Sequence, residues 1–224
     1  MRSFADREVL LASSDLEITV PQRMESQDWA SCFGAATTDD NASDEEGRFV
    51  LEIGVGKDPH LVTRSKDFPN DKHLAFEYSR KKLLTFLTKA HDEQLTNLRG
   101  MQADFKRVLP AFFADESIDQ TYIFFPDPWP KKRHRKKRMV QPETMDLLAQ
   151  KIKKGGKLEL RTDDRDYAEQ MLEVMEACKF FRNELDRPEW SPSPRDPGNH
   201  RPTLFEMRFM KINKPLHYFY YEKI

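Results

Sequence analysis

The chain is poor in cysteine and has no long apolar run. Its two cysteines, Cys32 and Cys178, lie far apart with no paired spacing, which argues against a disulfide framework and against a zinc site. No metal is expected. No apolar stretch approaches the length of a membrane span, so no membrane partner is expected. The N-terminus lacks the basic flank, apolar core and small-residue cleavage site of a signal peptide. The expectation is a cytoplasmic protein in a reducing compartment. A dominant charge is also missing, since 37 Lys and Arg stand against 38 Asp and Glu, a formal net charge of −1.

The charges that are present are segregated. Residues 39–46 carry Asp39, Asp40, Asp44, Glu45 and Glu46 with no basic residue, whereas 131–138 reads KKRHRKKR, 7 Lys or Arg out of 8. A near-neutral total therefore hides one strongly basic patch. With 224 residues, 38% hydrophobic and 11% aromatic, the chain has enough apolar material for one domain or two small ones.

Residues 1–47 are read as an N-terminal arm, partly mobile, in which Leu10, Leu11, Leu16, Ile18, Val20, Trp29 and Phe33 have the character to pack. Residues 48–224 are read as the working domain. There FVLEIGVG is a short apolar run ending in glycines, the pattern of a buried strand and its exit turn. A helix is expected over 60–67, a strand in HLAFEYS and an amphipathic helix over 79–95 with Leu83, Leu84, Leu87 and Ala90 on one face. NLRGMQAD and SIDQTYIFF read as strands, with a short helix around 106–113 between them. A helix over 142–153, stopped by Gly155-Gly156, leads to a strand in KLELRTD and a helix over 166–178. PTLFEMRFMK and LHYFYYEKI read as closing strands. Strands alternating with helices predict an α/β fold, a doubly wound and mostly parallel sheet with an antiparallel edge. Such a sheet binds its ligand outside the carboxyl ends of its strands.

Five strand ends carry chemistry. In Glu52-Ile53-Gly54-Val55-Gly56-Lys57-Asp58, Gly54 and Gly56 permit a tight turn and close approach of a ligand. The final glycine of the dinucleotide fingerprint is missing, which argues against an NAD oxidoreductase. Glu77 ends the second strand, where a carboxylate can accept from both hydroxyls of a ribose. Asp104 follows the third strand, placed to receive an adenine amino group. Acids at successive strand ends suit a cationic sulfonium better than a pyrophosphate, which wants donors. The fourth strand runs into Phe125-Pro126-Asp127-Pro128-Trp129-Pro130-Lys131. Prolines fix the backbone of this turn and hold Asp127 and Trp129 in set orientations. The basic run follows at once, and phosphates are its natural match. The fifth strand ends in Arg161-Thr162-Asp163-Asp164, where Asp163 either meets a base or caps the next helix.

The run FPDPWPKKRHRKKR resembles the signature of the tRNA (guanine-N7)-methyltransferases, a class I S-adenosylmethionine-dependent family. The resemblance extends over most of 48–224 through LEIGVG, FE at 76–77, NLR, AD at 103–104, GG at 155–156, TDDRDYAE and TLFE. It implies a seven-stranded, Rossmann-like methyltransferase sheet and methylation of a guanine in the tRNA variable loop. It implies S-adenosylmethionine as cofactor, held by Glu52, Gly54, Gly56, Glu77, Asp104 and Asp127, with Asp127 also the catalytic candidate. It implies tRNA contacts from Lys131, Asp163 and the segment Thr203, Leu204, Phe205 and Glu206, with the basic run 131–138 gripping RNA. Two departures stand out. Asp58 and Pro59 follow the glycines where the family has a third glycine, and Leu204 stands where it has Lys or Arg. The rival readings are a non-catalytic RNA-binding relative of the same fold and a methyltransferase for another nucleobase or an amine.

Overall fold

The computed structural model describes residues 2–12, 14–19, 33, 47–185 and 189–224. Val20, Trp29, Cys32 and the acidic stretch 39–46 lie outside them. The described residues fall into two compact units, residues 1–114 and 115–224.

The first unit begins with α1 (Phe4–Ala12) and the two-residue strand β1 (Glu17–Ile18). There follow β2 (Phe49–Ile53), α2 (His60–Asp67), β3 (Lys72–Glu77), α3 (Arg80–Asp92), β4 (Leu98–Gln102) and α4 (Phe105–Phe112). β1 pairs with β4, β4 with β3 and β3 with β2, all parallel. β2, β3 and β4 are almost wholly buried, as parallel strands covered on both faces must be. On α3, Leu83, Leu84, Phe86, Leu87 and Ala90 are fully buried. Each of the larger side chains contributes about 1.5–3 kcal/mol by leaving water. Gly100 on β4 lets this helix seat, because a Cβ there would lie 2.8 Å from the Leu87 side chain and 2.9 Å from Leu83. α1 lies along α3, where Arg7 donates to Thr85 Oγ1 at 2.7 Å, and Leu11 and Leu16 are buried. Residues 1–47 thus supply a helix and a strand of the first unit. β1 was not expected, and it makes the described strands eight rather than seven.

The second unit holds β5 (Ile118–Phe124), a 3₁₀ helix (Lys132–Lys137), α5 (Pro142–Lys151), β6 (Ile152–Thr162), α6 (Arg165–Ala177), β7 (Phe181–Asn183), α7 (Leu204–Lys211) and β8 (His217–Lys223). β5 pairs with β6 in parallel, and β8 pairs antiparallel with both β6 and β7. The eight strands are therefore mostly parallel with an antiparallel edge.

Two expectations are corrected here. Residues 204–211 form α7, not a closing strand. The Thr203 side chain accepts from the Glu206 N–H while the Glu206 carboxylate accepts from the Thr203 N–H, a capping box that starts the helix. The antiparallel edge is instead β6, β8 and β7. The second correction concerns Gly155-Gly156. They do not stop a helix running to 153, since α5 ends at Lys151. They lie inside β6, whose pairing with β5 shifts register between Ile118 and Gln120. Gly155 has φ +77°, the left-handed conformation a bulge of this kind uses and glycine adopts without strain.

Candidate functional site

In the first unit the expected loops meet at the carboxyl ends of β2, β3 and β4. After β2 the chain turns sharply, with φ +80° at Gly54 and +62° at Gly56. The Gly54 N–H donates to the Phe76 carbonyl at 2.8 Å, pinning the turn to the end of β3. Glu77 then reaches back. Its Oε2 accepts from the Gly56 N–H at 2.8 Å and its Oε1 from the Ser79 N–H at 2.8 Å. The carboxylate is 7% exposed and rigidly aimed. Asp104 sits at the end of the adjacent strand β4, exposed, and its Oδ1 accepts from the Lys106 N–H at 3.1 Å as the N-cap of α4.

Glu52 faces inward. It is 2% exposed, and its Oε2 lies 2.9 Å from Nδ1 of His60, itself 4% exposed. Asp58, the departure from the glycine pattern, is also buried, and its Oδ1 accepts from the His60 N–H at 2.9 Å. The extra carboxylate is thus used within the loop to start α2. Sequence reasoning missed His60. Its signal was a histidine at the first position of the helix that follows an acidic strand end.

The residues of this unit suit S-adenosylmethionine. A carboxylate offers about four lone-pair sites, and only one contact per Glu77 oxygen is made to the backbone, leaving acceptors for ribose hydroxyls. A Cβ on Gly56 would meet nothing nearer than the Gly54 carbonyl oxygen at 4.0 Å, so the loop face is open. Asp104 adds an exposed acceptor one strand away.

In the second unit the turn after β5 carries left-handed backbone at two non-glycine residues, Phe125 with φ +47° and Trp129 with φ +43°. Each costs about 1 kcal/mol or more, so surrounding contacts must hold them. The Phe125 N–H donates to the Arg161 carbonyl at 2.8 Å, and Arg138 Nε donates to the Pro128 carbonyl at 2.6 Å. The Phe125 ring stacks on Phe205 at 5.9 Å and touches Phe209 at 5.9 Å. Asp127 is exposed at the tip. Trp129 is half-buried, with the His134 ring edge-on at 5.6 Å and the Lys137 ammonium 4.7 Å from its centre. It anchors the 3₁₀ helix that carries the basic run.

That run is not uniform. Lys131, Lys132, Arg133, Lys136 and Lys137 are exposed, whereas Arg138 is 1% exposed. Arg135 and Arg138 both pair with Asp166, whose pKa is lowered chiefly by the Arg138 hydrogen bond.

Further along, Asp164 is the cap of α6, accepting from the Tyr167 N–H at 2.8 Å. Asp163 is half-buried and receives the Lys214 ammonium. In the 203–206 segment the residues divide. Leu204 and Phe205 are 45% and 50% exposed, while Thr203 and Glu206 are buried. Glu206 Oε1 accepts from His200 Nε2 at 2.8 Å and from the Tyr218 hydroxyl at 3.0 Å; its Oε2 accepts from Arg161 Nη1 at 2.6 Å. Burial alone would raise its pKa. The His200 hydrogen bond and the Arg161 charge outweigh that and hold it down at about 2. Arg161 also donates from Nε to Glu159 at 2.8 Å and lies 3.7 Å over the Phe124 ring. Glu159 and Arg161 sit two apart on one face of β6, and that spacing was the only sequence sign of this buried ionic group.

Residues 46–218 match a family model described as "Putative methyltransferase". Over 168 residues, 75% of this chain and 69% of the relative, the sequence is 39% identical to the tRNA (guanine-N(7)-)-methyltransferase of Yersinia enterocolitica. It is 37% identical over 174 residues, 78% of this chain and 72% of the relative, to the enzyme of that name from Alkalilimnicola ehrlichii. Among solved structures, an rRNA methylase from Streptococcus thermophilus covers 80% of this chain and 89% of its own at TM-score 0.54 and 13% identity. A precorrin-6y C5,15-methyltransferase from Geobacter metallireducens covers 80% and 81% at TM-score 0.54 and 15% identity. Those two likenesses establish a common fold, that of the class I methyltransferases. By sequence, the chain belongs to the tRNA (guanine-N7)-methyltransferase family.

Proposed function

We propose that the protein works in the cytoplasm and methylates N7 of a guanine in the variable loop of tRNA. The observation that carries this reading is the 39% identity over 75% of the chain to a tRNA (guanine-N(7)-)-methyltransferase, supported by the aimed carboxylate of Glu77 at the end of β3. S-adenosylmethionine, when bound, supplies an electrophilic methyl group on a cationic sulfur.

Guanine N7 is an acceptor on the major-groove edge of the base. It has an in-plane lone pair and no proton to lose, so the reaction needs no strong general base. The protein's task is orientation. Glu77 and Asp104 hold the adenosine part, and Glu52, Gly54 and Gly56 set the shape of the loop that receives it. Asp127 positions the base and stabilises the positive charge that grows on the purine. Lys131 and the exposed cations after it meet phosphates. Asp163, Leu204 and Phe205 offer further contacts to RNA. Thr203 and Glu206, buried in the capping box, act by shaping that segment.

The test is tritiated-methyl transfer into two tRNA transcripts that differ only in the variable-loop guanine, intact in one and replaced by adenine in the other. Label in the first alone is expected, and equal label in both contradicts the proposed site. On the intact transcript, Asp127→Asn lowers turnover far more than it lowers tRNA affinity. Equal turnover of this variant and the wild type contradicts the role given to Asp127.

A further inference from the structure

We propose that Arg138, the last cation of the basic run, is a positioning residue that fixes the Asp127 turn from within and does not bind RNA. This rests on the function proposed above.

Arg138 is 1% exposed, so its guanidinium is not available to a phosphate. Its donors are used inside the second unit. Nε donates to the Pro128 carbonyl at 2.6 Å, Nη1 to Gln170 Oε1 at 2.7 Å and to the Asp166 carbonyl at 3.4 Å, and Nη2 to Asp166 Oδ2 at 2.5 Å. The group lies 4.8 Å over the Tyr167 ring, and the Tyr167 hydroxyl accepts from the Val140 N–H at 3.0 Å. One guanidinium therefore joins the turn after β5 to the first turns of α6.

The sequence of the turn explains why it needs such a brace. Pro126, Pro128 and Pro130 have no N–H, so between Phe125 and Lys131 only Asp127 and Trp129 have backbone donors. A turn that cannot hold itself through its own amides must be held through its carbonyls. The carbonyl held is that of Pro128, between Asp127 and Trp129, and Trp129 has the disfavoured φ of +43°. The planar fork of arginine reaches acceptors on three residues at once. The compact ammonium of lysine cannot.

The experiment compares wild type, Arg138→Lys, Gln170→Ala and Lys132→Ala in methyl transfer to tRNA, with kcat, tRNA Kd and the salt dependence of Kd read for each. Arg138→Lys keeps the charge and is expected to lower kcat on the order of 10- to 100-fold, the scale of a misplaced reacting geometry, with Kd and its salt slope unchanged. Gln170→Ala removes one of the contacts to Arg138 and lowers kcat in the same way but less. Lys132→Ala behaves oppositely, raising Kd and reducing the salt slope by about one phosphate contact. The inference is overturned if Arg138→Lys acts on Kd and salt slope as Lys132→Ala does, or if both Arg138→Lys and Gln170→Ala keep the wild-type kcat. Should Arg138→Lys not fold, Gln170→Ala decides by the same criteria. Wild-type transfer to tRNA that neither variant slows defeats this inference alone, whereas a wild type that labels no tRNA defeats the proposed function.

Discussion

Glu206 and His73 show how burial turns single ionisable side chains into supports of the fold. Glu206 is fully buried and answers Arg161, His200 and Tyr218 together. Replacing it with Gln removes one of the two carboxylates that face the buried Arg161 while Glu159 remains, a loss of about 3 kcal/mol in unfolding free energy, the low end for a broken buried pair. Its folded pKa, about 2 against an ordinary 4.5, sets the sign of the pH effect. The stabilisation is complete above about pH 4.5 and fades as pH falls toward 2. Urea titrations should therefore show the gap between wild type and Glu206→Gln narrowing below pH 4.5; a constant gap contradicts this. His73 on β3 is fully buried beside Arg64, Asp71 and Arg48, and burial first of all pushes its pKa from 6.5 down to about 4. The folded state thus binds this proton less readily than the unfolded chain does. Stability is full above pH 6.5 and is lost as pH falls from there to about 4. His73→Leu should flatten that part of the stability curve, and an unchanged slope contradicts the assignment. The acids at strand ends were legible in the sequence because their spacing follows the strands. The inward partners His60, Arg161, His200 and Tyr218 were not, because which charge is buried with which depends on tertiary packing.

At the scale of elements, legibility followed periodicity. α3 shows its apolar face as a helical repeat, and the helix over 60–67 was read with the bounds the structure has. α7 was misread as a strand because Phe205, Met207 and Phe209 alternate with polar residues as strand residues do, while the residue it buries deepest is the charged Glu206. The better signal was local. Thr203 followed three residues later by Glu206 is a helix start, and it should have outweighed the alternation. Thr203→Ala should cost about 1 kcal/mol in chemical unfolding, with α7 the first segment to gain amide exchange. Unaltered exchange across 204–211 contradicts the role of the cap. The 3₁₀ helix after the Pro-rich turn teaches a related point. A run of like charges reads as one solvated face, yet Trp129, Asp166 and Gln170 divide it into exposed cations and a buried brace.

For the whole molecule, the alternation of strands and helices was enough to specify a doubly wound, mostly parallel sheet, because parallel strands need helical crossovers; the methyltransferase kind of that sheet was legible only through the resemblance of the FPDPWPKKRHRKKR run. β1 escaped notice because two residues carry no periodicity. Among the described residues no helix is long and apolar enough to cross a membrane. The first unit holds acids at its strand ends, and the second holds the exposed Asp127 in a proline-rich turn followed by exposed cations. The most direct measurement is nucleotide-resolved mass spectrometry of tRNA incubated with the protein and S-adenosylmethionine, mapping the methylated atom. The account predicts N7-methylguanine as the new nucleoside, strongly reduced with Asp127→Asn. A methyl group on any other atom, or none at all, would contradict it.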